Sequence, residues 1–184
     1  MIEHKGTVPL HQVILEGYRR GGTSIANGVR YRVYAEMLDE GEIPPDTYEQ
    51  LYEAIVQLKA EIRVASLPNR HRNRLIAHLD CGLSGIKAQK YAYIMKLFSE
   101  LTTAPDATVP AMELSTQLIR SHFDFNPDLI YQHIDDARDK LAPPCSLPRA
   151  ASVWAMLQLL RDTYEQRVQR RDREERSRAG TSAQ

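Results

Sequence analysis

The chain has 184 residues, in which 24 Lys and Arg side chains balance 24 Asp and Glu side chains, and only two cysteines occur. A chain of this length buries enough surface to fold as one domain without a disulfide, a metal ion or a partner chain. The charge balance excludes a general attraction to nucleic acid or anionic membranes, and two cysteines are too few for a disulfide framework or a four-cysteine zinc site.

Two elements are predicted ahead of the main run of helices. Residues 1–23 are expected to form a loosely docked arm, and residues 24–39 a helix. The arm lacks the basic segment and long apolar run of a secretion signal, and no stretch of the chain approaches the roughly 18 apolar residues of a membrane-spanning helix. We therefore expect a cytoplasmic protein that does not enter a membrane.

The next helix is predicted to begin after Pro44 and Pro45 and to end before Pro68. Asp46, followed three residues later by Glu49, resembles a capping box. The apolar residues step by three and four, which lines one helix face toward a core: Leu51, Ile55, Leu58, Ile62 and Ala65.

A helix over residues 69–79 follows, and we expect Gly82 or Gly85 to end it. Leu75 and Leu79 would form its buried stripe. The later apolar positions predict another helix on the far side of these glycines, with Tyr91, Ile94, Leu97 or Phe98, and Leu101 on one face.

Three further helices complete the predicted order. One carries Pro110 in its first turn, with Met112, Leu114, Leu118 and Ile119 as its apolar residues, and the next starts with Asn126 as N-cap and Pro127 behind it. The last contains Val153, Leu160 and Tyr164, and residues 166–184 are expected to fray into a charged, disordered tail. Helix after helix with short connections predicts an all-α, up-and-down multi-helix bundle over residues 24–165.

Motifs for common cofactors and metals are missing from the sequence. It contains no phosphate-binding loop, no His-Glu-x-x-His pair and no His/Cys quartet with zinc-finger spacing, so we expect neither a cofactor nor a metal ion. His122 with Asp124 is best explained as a surface histidine and a helix cap, and His133 as a packing residue.

The start of the helix at residue 69 is unusually cationic. Arg70, His71, Arg72 and Arg74 lie where the helix macrodipole disfavours positive charge, and an anion such as phosphate would favour them there. Arg74 shares a helix face with His78, whereas Arg72 lies about 120° around the helix from it. The spacing alone leaves a second interpretation open, in which these charged residues simply face water.

The residues Arg72–Asp80, RNRLIAHLD, resemble the signature of the HEPN superfamily (higher eukaryotes and prokaryotes nucleotide-binding domains). Its members carry an arginine, four to six residues and then a histidine, usually with a polar residue directly after the arginine. Here the spacing is five residues and the polar residue is Asn73. Ala77 and Asp80 add to the likeness with members associated with bacterial abortive-infection systems.

The resemblance implies an all-α bundle that pairs as a homodimer. It also implies a metal-independent endoribonuclease or toxin-like protein of a defence or toxin–antitoxin system, with RNA as substrate and a separately encoded antitoxin as partner. Carried over to this chain, Arg72 and His78 would be the catalytic pair, and Asn73 would orient or polarise them.

These residue types suit the implied reaction. A histidine can take the proton of an RNA 2′-OH or protonate the leaving 5′-oxygen, and an arginine can hold the charge that builds on the phosphate. Because the reaction needs the 2′-OH, RNA would be cut and DNA spared. The sequence leaves open whether Arg72 or Arg74 is the active arginine. The candidates for substrate binding are Arg70, Arg74 and Asp80.

Two alternatives come from other classes of function. Some members of the superfamily have lost activity, so the chain could instead be a non-catalytic HEPN-like binding or assembly module. It could also be a regulatory protein that binds nucleic acid through the arginine-rich end of its last helix. Between Glu165 and Arg178 that segment has six arginines and four acidic residues, a pattern more typical of a solvated helix.

Overall fold

The computed structural model describes residues 45–181, which are all-α, with no strand among them. A short 3-10 turn, Pro45–Thr47, leads into five helices: α1 Tyr48–Val64, α2 Asn69–Glu100, α3 Thr108–Ile119, α4 Pro127–Leu141 and α5 Ala150–Thr181. The predicted all-α multi-helix bundle is thereby confirmed. The predicted arm at residues 1–23 and the predicted helix at residues 24–39 lie outside the described residues.

The chain divides into two compact units, Met1–Lys90 and Tyr91–Gln184, and the boundary falls inside α2. We call them unit 1 and unit 2. The sequence predicts a break at Gly82 or Gly85, a few residues before this boundary, but α2 itself is continuous across it.

Helix α1 belongs to unit 1 and buries the predicted residues Ile55, Leu58 and Ile62. The predicted capping box is wrong. The N-cap is Thr47, whose side chain makes no capping hydrogen bond, and the Glu49 carboxylate instead pairs with the Lys90 ammonium. Lys90 is only 1% exposed, so its charge requires an anionic partner more strongly than the helix end requires a cap.

The prediction that Gly82 or Gly85 ends a helix is also wrong, because α2 continues through both to Glu100. A glycine costs a helix only about 1 kcal/mol relative to alanine. The residues on both sides of the glycines are anchored, since Leu79 and Ile86 are buried on the same face of the helix. Continuous burial therefore outweighs the local preference to break.

Unit 2 is built around α5, against which α3 and α4 both pack. Helix α4 begins as the sequence predicts, with the Asn126 side chain accepting a hydrogen bond from the backbone N–H of Asp128 at 3.1 Å and Pro127 in the first turn. Pro110 lies in the first turn of α3, as expected, but Met112 is 62% exposed and does not join the core. The buried residues of α4 are Ile130, Ile134, Ala137 and Leu141.

Helix α5 corrects the expectation of a disordered tail from residue 166, because it stays helical to Thr181. Contacts outside the helix hold this segment. Arg167 donates hydrogen bonds to the backbone carbonyls of Leu118 and Ser121, and Arg171 pairs with Asp124 at 2.6 Å. Polar side chains thus continue the attachment of α5 after its apolar stripe ends.

Candidate functional site

The candidate residues lie in the first three turns of α2, which follow a short connection from α1. The carbonyl of Pro68 accepts hydrogen bonds from the backbone N–H groups of His71 and Arg72, at 2.9 and 3.1 Å. Pro68 therefore opens the helix, since its carbonyl receives the first hydrogen bonds of the turn while its ring blocks the end of α1. Every candidate residue from 70 to 80 consequently has regular helical spacing.

The Arg72 guanidinium is occupied by the connection between α1 and α2. Its Nη2 donates to the carbonyls of Ala65 and Leu67, at 3.0 and 3.2 Å, and its Nη1 donates to Asn69 Oδ1 at 3.1 Å. The Arg72 Nε is buried without a hydrogen-bond partner. Arg72 thus satisfies carbonyls that the end of α1 leaves without helical partners. The catalytic role of Arg72 stays a prediction. To bind a substrate, its guanidinium would have to give up these hydrogen bonds.

Asp80, a predicted substrate-binding residue, forms an ion pair with Lys59 of α1. The Lys59 side chain is 17% exposed and the Asp80 side chain 53% exposed. The pair links α2 to α1 within unit 1. Lys59 was not among the predicted residues, and no local pattern indicates it, because 21 residues separate the two partners and only helix packing brings them together.

Three of the other candidates are accessible, since Arg70, Asn73 and Arg74 are exposed. His78 is half-buried, and its Nε2 atom is buried. At about 100° per residue, Asn73 lies roughly 140° around α2 from His78, and Asp80 roughly 160°. The predicted site residues therefore do not share one face of the helix.

A smaller group does share a face. Arg74 lies about 40° from His78 around the helix axis, and His71 about 20° from it. Positions three and four apart on a helix are surface neighbours, so His71, Arg74 and His78 follow one another along one flank of α2. We call these three residues the α2 flank. His71 belongs to the predicted cationic helix start but not to the predicted site residues, and its spacing of seven from His78 is the sequence signal that indicates it.

The charge of α2 is strongly one-sided. The helix contains six Lys and Arg residues, but its only acidic residues are Asp80 and Glu100. Asp80 is paired with Lys59, and Glu100 is the last residue of the helix. The α2 flank therefore carries positive charge without an acidic neighbour on its own helix, which suits a polyanionic ligand.

The arginine-rich end of α5 has fewer available positive charges than its sequence suggests. Two of the six arginines between Glu165 and Arg178, Arg167 and Arg171, hold the connection between α3 and α4. Four arginines remain exposed, which equals the number of acidic residues in the same segment. The nucleic-acid alternative depends on an excess of two positive charges in this segment. Arg167 and Arg171, which equal that excess, instead bind other parts of the fold.

The described part of the chain contains neither a cluster of metal ligands nor a membrane-spanning helix. Among residues 45–181, no three His, Cys, Asp or Glu side chains come together as the ligands of a metal ion would. Asp124, expected to cap a helix, instead accepts a hydrogen bond from the Arg171 guanidinium, and Asn126 is the N-cap of α4. Within that range, no helix has the length and apolar character needed to cross a membrane.

Comparison with known proteins found no relative of this chain. No family model, no curated protein and no solved structure matches the chain.

Proposed function

We propose that the chain is a metal-independent endoribonuclease of the HEPN type, or a toxin-like protein with that activity, and that the α2 flank carries its chemistry. One observation supports this most directly. Arg74 and His78 lie one helical turn apart on the same flank of a cationic helix, with Arg74 exposed and His78 half-buried. A fixed cation and an imidazole, which can accept or donate a proton, are thus side by side.

The reaction uses each side chain for what its chemistry permits. Arg74 keeps its positive charge at any relevant pH and holds the charge that builds on the phosphate in the transition state. His78 exchanges a proton with an oxygen of the scissile linkage. The attacking group is the 2′-OH of the substrate itself, so the products carry 2′,3′-cyclic phosphate and 5′-hydroxyl ends, and DNA is not cleaved.

The proposal assigns different roles to Arg72 and Arg74, between which the sequence could not choose. Arg72 holds the connection between α1 and α2 through its contacts with Ala65, Leu67 and Asn69, and so places the first turn of α2. Arg74 meets the phosphate. In a comparison of R74A and R72A, we expect R74A to lose cleavage while keeping its thermal stability, and R72A to lower the melting temperature.

The biological setting remains part of the same proposal. We propose a homodimer in the cytoplasm that acts on RNA and is restrained by a separately encoded antitoxin. Light scattering of the purified chain tests the dimer, and co-purification with the product of a neighbouring gene tests the antitoxin.

The central experiment incubates the purified protein with one RNA and with DNA of the same sequence, in the presence of EDTA. We expect RNA fragments ending in 2′,3′-cyclic phosphate, intact DNA, and loss of cleavage in H78A. H122A, which changes an exposed histidine of unit 2, is the matched control and should cleave as the unchanged protein does. Intact RNA at high protein concentration would refute the nuclease.

A second candidate function is a non-catalytic HEPN-like module that binds a partner or assembles. The observation that favours it is that Arg72 and Asp80, two residues of the motif, already have partners within the fold. This candidate predicts that H78A folds normally and leaves the biological phenotype unchanged. Binding of RNA without cleavage would favour it over the nuclease.

A further inference from the structure

His71 occupies a position on α2 that the motif does not explain. It is exposed, lies one turn before Arg74 and two turns before His78, and occupies the same flank of the helix. Its backbone N–H donates to the Pro68 carbonyl at 2.9 Å, so the residue already has helical geometry. The α2 flank therefore presents a histidine, an arginine and a histidine in sequence.

We propose that His71 is a second catalytic residue, which shares the proton transfers of RNA cleavage with His78, and this inference rests on the proposed function. The cleavage needs two proton transfers at opposite sides of one phosphorus: one from the attacking 2′-oxygen and one to the leaving 5′-oxygen. A single histidine cannot reach both sides in one step. Two histidines on either side of an arginine can.

The spacing fits such a division of roles. At about 1.5 Å of rise per residue, Arg74 lies roughly 4.5 Å along the axis from His71 and roughly 6 Å from His78. Its guanidinium is thus available to the non-bridging phosphate oxygens between the two imidazoles. Each imidazole then has to lie within about 3 Å of the oxygen on its own side.

The bonds and protons balance without a co-reactant. One imidazole removes the proton of the 2′-OH, the bond between the 2′-oxygen and phosphorus forms, and the bond between phosphorus and the 5′-oxygen breaks. The other imidazole gives its proton to the departing 5′-oxygen. The products are a 2′,3′-cyclic phosphate and a 5′-hydroxyl, and proton exchange with water restores both histidines.

The other polar residues of the motif do not offer this arrangement. Asn73 lies on the opposite side of α2, and the Nη1 and Nη2 donors of Arg72 are engaged by Asn69 and by the connection from α1. Arg70 is exposed, but a guanidinium supplies charge and hydrogen-bond donors rather than acid–base chemistry. His71 is therefore the residue of the helix start that adds acid–base chemistry to the proposed site.

The test uses two RNA substrates with a single cleavable linkage, one natural and one in which the 5′-oxygen of that linkage is replaced by sulfur. A thiolate leaves without being protonated, so the sulfur substrate does not need a general acid. On the natural RNA, we expect H71A and H78A each to cleave at least about 100-fold more slowly than the unchanged protein. On the sulfur substrate, we expect one of the two variants to recover and the other to remain slow.

H71Q, which keeps a polar side chain of similar size, and circular dichroism of all variants separate chemistry from folding. H122A again serves as the matched control. Unchanged cleavage in folded H71A or H71Q overturns the inference, and so does recovery of both variants or of neither on the sulfur substrate. Failure of the unchanged protein to cleave either RNA refutes the proposed function itself, which keeps the two failures distinct.

Discussion

A buried lysine sets the clearest energetic constraint at the scale of single residues. Lys90 is 1% exposed and pairs with Glu49, whose side chain is 25% exposed. Transfer of an ammonium group from water to the interior is costly, and its attraction to a carboxylate offsets that cost only while both partners are present. Replacing either residue alone is therefore costly, although the pair itself contributes less to the stability of the fold than that cost suggests.

We expect E49A to destabilise the protein by about 3 kcal/mol, because it leaves the Lys90 charge buried without its carboxylate. Urea denaturation followed by circular dichroism measures this difference. The double variant E49A/K90M should recover part of the lost stability, since methionine fills a similar volume without a charge. K96A, at an exposed lysine of the same helix, is the control, and an equal loss in K96A would contradict the argument.

Arg149 has a φ of 60°, in the left-handed region that residues with a Cβ rarely adopt. Its side chain pairs with Asp106 at 2.9 Å, and both partners are well exposed. The Thr108 hydroxyl and backbone N–H, which donate to the same carboxylate, together with Arg149 lower the pKa of Asp106. The connection before α5 thus combines a strained backbone with a weak ion pair.

We expect R149G to be more stable than R149A by about 1 kcal/mol, because both lose the ion pair but only glycine relieves the left-handed strain. Thermal unfolding of the two variants measures the difference directly. Equal stabilities would show that the backbone conformation at residue 149 carries no cost.

At the scale of elements, the long helix α2 shows where sequence reasoning fails and why. Glycine signals a helix end only when nothing else holds the chain, and here Leu79 and Ile86 are buried on either side. By contrast, the start of α4 could be predicted because Asn126, Pro127 and Asp128 interact locally. Local signals were reliable where no longer-range contact competed with them.

Gly85 offers a test of this interpretation. It lies inside α2, and a Cβ built on it meets no atom within 4 Å. We therefore expect G85A to stabilise the protein by about 1 kcal/mol, the difference in helix propensity between the two residues. G180A, near the end of α5 and equally open, should change the stability much less because the last turn of a helix frays. A destabilised G85A would contradict the expectation.

The contact between α4 and α5 includes a pair of tyrosines. Tyr131 and Tyr164 pack edge to face with ring centroids 5.6 Å apart, and Arg161 lies over the Tyr131 ring. Burial raises the pKa of Tyr164, and burial with the nearby Glu165 raises that of Tyr131. Both phenols are therefore held in their neutral form in the folded state more strongly than in the unfolded chain.

This contact predicts a loss of stability at alkaline pH. Because the folded pKa lies above the ordinary value of 10.0, the contribution is complete below pH 10.0 and declines as the pH rises through the folded pKa. We expect Y164F to reduce the alkaline decline of the free energy of unfolding, measured by urea denaturation at several pH values. An identical decline in Y164F would exclude Tyr164 as its source.

At the scale of the whole molecule, the periodicity of apolar residues was sufficient to predict an all-α chain and much of its core. The candidate site could be predicted only as a segment. The contacts of Arg72 and the pairing of Asp80 with Lys59 depend on how α1 and α2 pack, and no pattern within residues 70–80 contains that information. Helical geometry, rather than the motif, singled out His71.

The two proposals also predict how many chains contribute residues to one active site. If His71, Arg74 and His78 of one chain suffice, mixing inactive H71A with inactive H78A restores no cleavage. A site shared between two chains would restore roughly a quarter of the activity, because half of the dimers are mixed and each rebuilds one of two sites. Measuring RNA cleavage after unfolding and refolding the mixture decides between these outcomes.

The hydrogen bonds of Arg167 have a consequence for the order of folding. Its guanidinium reaches carbonyls 46 and 49 residues earlier in the chain, at Ser121 and Leu118. Such contacts form only after the end of α3 and the body of α5 have met, so we expect them to form late in folding, after the rate-limiting step. Loss of this side chain would consequently shorten the lifetime of the folded unit 2 while leaving the speed of its folding almost unchanged.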